Sequence, residues 1–221
     1  DTNANVSHLV LARLVGAAAG TKGISLFLVP KIIPNSDGSL GAPNSLSVVS
    51  LEHKLGLHGS PTAVMQFDGA TGWLVGAENK GMAAMFTMMN NARLAVGMQG
   101  VAIAEAATQA AVSYAMDRKQ GKTPLGEGAI IDHADVRRML GQMRAETFAA
   151  RAIGLACAVA IDMGRATGAP EWLARAALLT PIAKAYGTDV GNEVAYTAVQ
   201  VQGGMGFIEE TGGAKLSRVG G

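Results

Sequence analysis

The sequence predicts an α+β fold, mostly α, in which a strand-rich first third precedes an antiparallel bundle of long helices. Apolar runs are short and broken by turn residues as far as about residue 78. From Gly81 onwards, apolar residues recur at helical spacing. Ala, Gly and Met are plentiful while aromatic residues make up only 5%, which suits helices packed closely through small side chains. We therefore expect one domain over 1–78 and a second, helical domain over 79–221.

Five short strands are predicted in the first domain. Each is an apolar run bounded by Gly, Asn, Asp, Pro or Ser, and the segment PNSDGSLGAPN between two of them is predicted to be a turn. Five such strands leave unpaired edges, so we expect further strands before Asp1 to complete the sheet. The predicted strands are His8–Leu14, Ile24–Pro30, Leu46–Glu52, Val64–Phe67 and Trp73–Val75.

Three long helices and one short helix are predicted in the second domain. The first is far longer than an average helix. Asp132 is expected to cap the second helix, and Thr180 to cap the last one, which begins at a proline. Paired glycines are expected to end that last helix. The bounds are Gly81 to about Asp117, Asp132 to Gly168, a short helix after Pro170, and Pro181 to Gly203–Gly204.

Charge and apolar patterning exclude several classes of protein. The formal net charge is +1, without blocks of like charge, so there is no electrostatic reason to expect nucleic acid or an anionic membrane surface as a partner. The sequence contains no run of about 18 apolar residues, so we expect no membrane span. Cys157 is the single cysteine, which excludes a disulfide within the chain and suits a reducing compartment. We expect a cytoplasmic protein.

The common cofactor and metal motifs are missing from the sequence. It has no Walker loop, Rossmann glycine fingerprint, CxxC pair or HExxH helix. Ser60 and Ser113 lack the GxSxG context of a nucleophile. The histidines show no i, i+4 pairing, which favours structural or exposed roles, and we expect no metal site. These histidines are His8, His53, His58 and His133.

Three segments taken together identify a family. They are LEHKLGLHGSPTAVMQFDGATGWLVGAENKGM at 51–82, NNARLAVGMQGVAIAEAATQAAVSYAMDRKQGK at 90–122 and TDVGNEVAYTAVQVQGGMGF at 188–207. They resemble the link from the β domain to the bundle, the first bundle helix and the last long helix of acyl-CoA dehydrogenases. The third segment ends in that family's Q-x-x-G-G-x-G-F/Y signature. Because all three occur in the family's order and spacing, the resemblance covers essentially the whole chain.

The resemblance implies a fold and an activity. Residues 1–78 would be the C-terminal part of the β-barrel-like middle domain, and 79–221 the C-terminal helical bundle. The family uses FAD to desaturate an acyl-CoA thioester between Cα and Cβ, and it passes the electrons to an electron-transfer flavoprotein. Its members are homo-oligomers, dimers or tetramers, in which FAD crosses a subunit interface. The segments HGSPT and NNARLAVGMQG are most like the larger bacterial members, including those that act on 3-methylmercaptopropionyl-CoA and on long acyl-CoAs.

The first bundle helix carries two groups of implied site residues. Arg118, Lys119 and Gln120 match the segment that reaches the FAD pyrophosphate of a neighbouring subunit, since a guanidinium suits paired phosphates. The alternative is a solvated cation favoured by a helix C-terminus. Asn90 and Arg93 match positions that face bound CoA and the acyl chain. Their alternative is a polar pair between helices.

Two further groups are implied to bind the cofactor. Gln200, Gly203 and Gly204 match the signature residues that contact the same FAD, because glycines let backbone N–H groups approach the cofactor. The alternative is a simple helix stop. Ser60 and Thr62 lie in a loop near the flavin in relatives, and they could equally satisfy the backbone of a turn.

The sequence departs from the family pattern where the catalytic base is concerned. The family's glutamate usually lies in an I-Y-E-G-T loop after the signature, which this chain lacks, so we expect the base beyond Gly221. A minority of relatives place it on the first bundle helix, where this chain has Ala92. Glu209 and Glu210 are too close to the signature, and they are interpreted as solvated charges. His58 stands where many relatives carry arginine. The catalytic residue is left unassigned, and we expect the isolated chain to be inactive.

Two alternative functions stay open at the level of sequence. Relatives of the same fold include acyl-CoA oxidases and flavin monooxygenases, which differ in whether O₂ reoxidises the reduced flavin. A non-catalytic helical module for oligomerisation or binding would purify without flavin.

Overall fold

The computed structural model describes residues 5–208 and residue 210. The chain divides into two compact units, Asp1–Met89 and Asn90–Gly221. Strands lie in the first unit and long helices dominate the second, so the predicted α+β class, mostly α, is confirmed. The domain boundary predicted between residues 78 and 79 stays a prediction.

The described residues of the first unit form three small antiparallel sheets. The first sheet has the strand order β1-β2-β7, and β3-β4 and β5-β6 form two further pairs. In the first sheet Ser7 pairs with Pro30 and Arg13 with Ile24. The strands are β1 Ser7–Arg13, β2 Ile24–Pro30, β3 Ile32–Pro34, β4 Leu40–Pro43, β5 Leu46–Leu51, β6 Ala63–Phe67 and β7 Trp73–Val75.

The segment PNSDGSLGAPN is not only a turn, and that prediction was too simple. Its ends belong to β3 and β4, which pair through Ile32 with Pro43 and Pro34 with Leu40. The Asn35 N–H donates to the Ser39 carbonyl at 2.9 Å and closes the connection between them. The residues that favour turns therefore form the tip of a hairpin, and its short strands could not be predicted because Pro and Gly interrupt them.

Asn44 joins three segments of the first unit. Its Nδ2 donates to the carbonyls of Pro30 and Thr71, both at 2.8 Å. Its Oδ1 accepts from the N–H groups of Ser45 and Thr71, both at 2.9 Å. Asn44 is 8% exposed. Its amide therefore satisfies four backbone groups that the irregular strand ends leave unpaired.

Ser25 fixes the point at which the first long helix begins. Its buried hydroxyl accepts a hydrogen bond from the Asn79 N–H at 2.8 Å. Asn79 has a φ of 62°, a left-handed conformation that asparagine tolerates. A Cβ on Gly81 would lie 2.7 Å from the Leu26 nitrogen, so only glycine allows this close approach.

The described residues contain three long α-helices, of which the first begins in the first unit and the other two lie in the second. They are α1 Gly81–Asp117, α2 Ala134–Thr167 and α3 Pro170–Gln202. Glu105 of α1 contacts Arg151 of α2, and Cys157 of α2 contacts Thr180 of α3. Asn91 lies before Glu105 on α1 but contacts Arg165, which lies after Arg151 on α2. Gly164 lies after Cys157 on α2 but packs on Leu173, which lies before Thr180 on α3. Helices α1 and α3 therefore run in one direction and α2 runs in the other, as the predicted antiparallel bundle requires.

Two predicted helix starts were wrong. Helix α3 runs without a break through Pro181, where a new helix was expected. Thr180 is not a cap, because its hydroxyl donates to the Ala176 carbonyl one turn back at 2.7 Å. Proline removes one backbone hydrogen bond, and the burial of Thr180 and Ala183 on either side offsets that loss. Helix α2 is preceded by His133 at its N-cap rather than by Asp132.

Small residues let the helices approach closely. Ala104, Ala107, Ala111 and Ala115 of α1 have no exposed surface, and their spacing of three and four residues places them on one face of the helix. They pack with buried residues of α2 and α3. A Cβ on Gly187 of α3 would lie 2.5 Å from the Gly97 carbonyl oxygen of α1. The bundle core therefore depends on alanine and glycine rather than on large side chains.

Helix α2 meets the length and hydropathy criterion for a membrane span. This is weak evidence, because a packed core helix meets the same criterion. The helix buries eight residues, including Met143, Cys157 and Gly164, which is the pattern of a helix in a bundle core. The expected absence of a membrane span stays a prediction.

Candidate functional site

A cleft of about 500 Å³ lies where the C-terminal ends of α1 and α3 meet the N-terminal end of α2. The shared direction of α1 and α3 places their last turns at the same end of the bundle. One cation, several amide and ring groups and a set of apolar side chains face the cleft. The lining residues are Tyr114, Arg118, Gln120, Ile130, His133, Val136, Val201, Gln202, Gly203, Gly204 and Met205.

The segment that follows α1 places two of its three predicted cofactor residues in the cleft. Arg118 and Gln120 line it, whereas Lys119 does not. The Ile130 N–H donates to the Arg118 carbonyl at 2.7 Å, and Lys119 pairs with Ala129 in an isolated antiparallel bridge. The chain is therefore extended here, and successive side chains point to opposite sides.

His133 holds this segment against the start of α2. A ring nitrogen, Nε2, lies 2.9 Å from the carbonyl oxygen of Gln120. Because a carbonyl only accepts, Nε2 carries the proton in this contact. The next residue, Gly121, has a φ of 71° and allows the chain to turn away. The sequence had indicated only that His133 was no metal ligand, and nothing in its spacing pointed to the cleft.

The signature segment at the end of α3 places its two adjacent glycines in the cleft. It also places Gln202 there, which is not one of the defined positions of the signature. Gly203 has a φ of 59°, and the position of a Cβ lies in open space at both Gly203 and Gly204. Gln202 lines the cleft and is 8% exposed. The predicted Gln200 is exposed and does not line the cleft. Residues two apart on a helix differ in direction by about 200°, so Gln200 and Gln202 cannot face the same side.

The remaining predicted residues lie elsewhere. Ser60 and Thr62 are in a turn of the first unit, where the Ser60 N–H donates to the Leu57 carbonyl at 3.0 Å. Asn90 and Arg93 are one turn apart on α1, with Arg93 Nη1 at 3.4 Å from Asn90 Oδ1. At about 1.5 Å per residue, Arg93 is roughly 36 Å along α1 from the end of the helix. The implied substrate residues and the cleft are therefore at opposite ends of that helix.

The described residues offer no side chain that matches the family's base. The first-helix position is Ala92, which cannot accept a proton. Glu210 is exposed, and Glu209 lies outside the described residues, as does the segment GGAKLSRVGG. The expectation of a base beyond Gly221 stays a prediction.

A second group of charged residues lies on the α1–α2 face. Arg151 donates to Glu105 at 2.7 Å, and Gln109 donates to the same carboxylate at 2.8 Å. The hydrogen bonds from Gln109 and Arg151 hold the pKa of Glu105 below its ordinary value of 4.5. This group links two helices and is separate from the cleft lining.

The cleft has the lining that a dinucleotide needs. Arg118 supplies a cation for paired phosphates. The first turn of α2, which follows His133, has no side-chain cap on its backbone N–H groups, and these donors favour an anion. The acidic residue of that turn, Asp135, is paired with Arg138. The bare backbone of Gly203 and Gly204 permits close approach, and apolar side chains can cover a flat ring. FAD therefore fits the residues that are present.

Sequence comparison decides the family. The profile described as "Acyl-CoA dehydrogenase, C-terminal domain" matches residues 79–219. The chain belongs to the acyl-CoA dehydrogenase family. It is 49% identical to the 3-methylmercaptopropionyl-CoA dehydrogenase of Ruegeria pomeroyi, over 99% of this chain and 38% of that protein. This confirms the predicted resemblance to larger bacterial members.

Solved structures of acyl-CoA dehydrogenases share the fold. The butyryl-CoA dehydrogenase of Megasphaera elsdenii superposes with a TM-score of 0.78 at 26% identity, over 99% of this chain and 51% of that one. An acyl-CoA dehydrogenase of Bacillus anthracis, solved in complex with FAD, has a TM-score of 0.79 at 23% identity, over 97% of this chain and 35% of that one. The chain therefore spans about half or less of these two acyl-CoA dehydrogenases.

Proposed function

We propose that this chain acts as part of an FAD-dependent acyl-CoA dehydrogenase that introduces a double bond between Cα and Cβ of an acyl-CoA thioester. The observation that carries the proposal is the cleft at the end of the bundle. It brings Arg118, Gln120, Gly203 and Gly204 together, from two motifs about 80 residues apart that the family resemblance had assigned to the same cofactor. A non-catalytic helical module would not need the residues of these two motifs to lie at one cleft.

The reaction removes two hydrogens from the substrate. The α-hydrogen leaves as a proton to a carboxylate base, and the β-hydrogen leaves as a hydride. The bound flavin supplies the two-electron acceptor for that hydride. In this scheme Arg118 neutralises the cofactor's diphosphate, and His133 keeps the Arg118–Gln120 segment in place through the Gln120 carbonyl. Asn90 and Arg93, at the far end of α1, orient the acyl-CoA.

The partners are part of the same proposal. We propose that two copies of the protein share each FAD, as the family resemblance implies, so that the cleft of one copy holds the cofactor of the other. The 49% identity to a 3-methylmercaptopropionyl-CoA dehydrogenase supports a short acyl-CoA as substrate. We further propose an electron-transfer flavoprotein as acceptor and a cytoplasmic location.

Visible absorption of the intact protein tests the proposal. We expect a flavin spectrum that bleaches without oxygen when 3-methylmercaptopropionyl-CoA or butyryl-CoA is added, and that recovers with an electron-transfer flavoprotein. Rapid recovery with O₂ alone would assign an oxidase instead. A protein that takes up no FAD on reconstitution would refute the flavoenzyme proposal.

A further inference from the structure

The part of α1 that carries Asn90 and Arg93 has no anchor in the core. Among the described residues, none of those between 82 and 96 on α1 is buried, whereas Gly97 and Gly100 are. Core packing therefore fixes the rotation of α1 about its own axis only from Gly97 onwards. Rotating a helix by about 20° moves the end of a side chain by about 2 Å. The direction of Asn90 and Arg93 therefore depends on contacts that lie nearer to them.

Arg165 of α2 makes such a contact with Asn91 of α1. Its Nη2 donates to Asn91 Oδ1 at 2.7 Å, between residues that are 74 positions apart in the chain. Successive residues of a helix point about 100° apart. Because Asn91 faces α2, Asn90 and Arg93 are turned to a different side of α1. The bond that holds Asn91 against α2 therefore also sets the direction of these two neighbours.

The alternative is that Arg165 only neutralises the negative end of the α2 dipole, as a cation in a last turn does. The carbonyl groups at this end already have partners. The Thr167 hydroxyl donates to the Met163 carbonyl at 2.7 Å, and the Gly168 N–H donates to the Gly164 carbonyl at 3.0 Å. The guanidinium reaches the neighbouring helix instead, so its geometry favours a tie between α2 and α1.

We infer that Arg165 is a positioning residue for the acyl-CoA. It acts through Asn91, by holding Asn90 and Arg93 in the direction in which they bind the substrate. The inference rests on the proposed function, in which Asn90 and Arg93 orient the acyl-CoA. Small displacements are important at such a site, because a shift of about 1 Å in an orienting group can cost about 100-fold.

Loss of the tie should weaken substrate binding and leave the flavin in place. We expect Arg165→Met and Asn91→Ala each to raise the half-saturating acyl-CoA concentration about tenfold, and to change the limiting rate of flavin reduction less than about twofold. The double variant should show no more than either single one, because both remove the same hydrogen bond. Since the pair is exposed, the melting temperature should hardly change.

Arg165→Lys tests the role of the charged donor. Lysine keeps a positive charge and a donor on a side chain of similar reach, although it lacks the planar fork of arginine. We expect its half-saturating concentration to stay within about threefold of wild type. This recovery would separate the hydrogen bond to Asn91 from the packing of the arginine stem.

Bleaching of the bound flavin in the intact protein gives both quantities. It is followed without oxygen over a series of acyl-CoA concentrations, with whichever of 3-methylmercaptopropionyl-CoA and butyryl-CoA bleaches the wild type. Arg175→Met is the matched control. Arg175 is an exposed cation within about two turns of the same α2–α3 connection, and it lies over the Trp172 ring at 5.7 Å. Its loss should change the half-saturating concentration less than about twofold.

Three results would overturn the inference. One is an unchanged half-saturating concentration in Arg165→Met, including the case in which only the limiting rate and the melting temperature fall, as a purely structural role would give. Another is an equal increase in Arg175→Met, which would assign the effect to overall charge. The third is additive effects in the double variant, which would show that Arg165 acts without Asn91. If no acyl-CoA bleaches the wild type, the proposed function fails instead, so the two failures are distinguishable.

Discussion

Gly97 of α1 and Gly187 of α3 touch through their backbones. A Cβ on Gly187 would lie 2.5 Å from the Gly97 carbonyl oxygen and 3.1 Å from the Gly97 carbonyl carbon. Real side chains do not approach a backbone this closely. The two helices can therefore keep their separation only while glycine occupies both positions.

We expect Gly187→Ala to lower the free energy of unfolding by about 1–3 kcal/mol, because the methyl group forces two helices apart. Denaturant unfolding measures this change. Gly141→Ala is the matched control, since Gly141 is an exposed helical glycine with open space around it. It should raise the free energy of unfolding by about 0.5–1 kcal/mol through helix propensity. Equal effects of the two changes would show that the Gly97–Gly187 contact is not tight.

Arg118 lines the cleft, whereas its neighbour Lys119 does not. We expect Arg118→Gln to raise the FAD dissociation constant roughly 10- to 100-fold, since a hydrogen bond from a charged group contributes about 1.5–3 kcal/mol. Lys119→Gln removes an equal charge outside the cleft lining, and we expect less than about a fivefold change. The Arg118 effect should shrink as salt is added. Similar losses for both variants would contradict the alternating geometry.

Glu105 makes bundle stability depend on pH. Its pKa is lower in the folded protein than its ordinary value of 4.5. The stabilisation is therefore present above that value, and it is lost as the pH falls through the folded-state pKa. We expect wild type to exceed Glu105→Gln in unfolding free energy at pH 7, by less than about 1 kcal/mol because the pair is partly exposed. The difference should shrink as the pH falls below 4.5 and through the folded-state pKa of Glu105, and a constant difference would refute this assignment.

Pro181 should weaken the helix that it interrupts. Pro181→Ala restores the missing N–H to an otherwise continuous α3, and we expect it to raise the unfolding free energy by about 1 kcal/mol, below the intrinsic cost of about 3 kcal/mol. Pro170→Ala, at the first turn of the same helix, should change it by less than about 0.5 kcal/mol, because the N–H is not bonded there. If Pro181→Ala destabilised the protein, the proline ring itself would be a packing element.

Patterns of apolar residues were sufficient to predict several elements. The strands Ile24–Pro30 and Trp73–Val75 and the helix ending at Asp117 were predicted at their observed bounds. The pairing of β3 with β4 could not be predicted, since it depends on a contact between proline-interrupted segments. The continuity of α3 through Pro181 could not be predicted either, because tertiary burial overrides the local preference of proline.

Sequence motifs could not predict the direction in which each side chain of the site points. The signature named Gln200, but the phase of α3 turns Gln202 into the cleft and Gln200 away from it. The family motif groups Arg118, Lys119 and Gln120 together, but the chain is extended there and Lys119 points to the other side. A motif gives the residue types at a site, and the secondary structure decides which of them face the ligand.

Asn44 shows how narrow the choice at one position can be. Aspartate has the same shape but would turn a carboxylate oxygen, which cannot donate, toward the Pro30 and Thr71 carbonyls. Leucine would satisfy none of the four backbone groups. Glutamine carries the right chemistry on a side chain one methylene too long. In a library of all twenty residues at position 44, selection for folded protein should therefore recover asparagine alone, even though this residue lies in a loop.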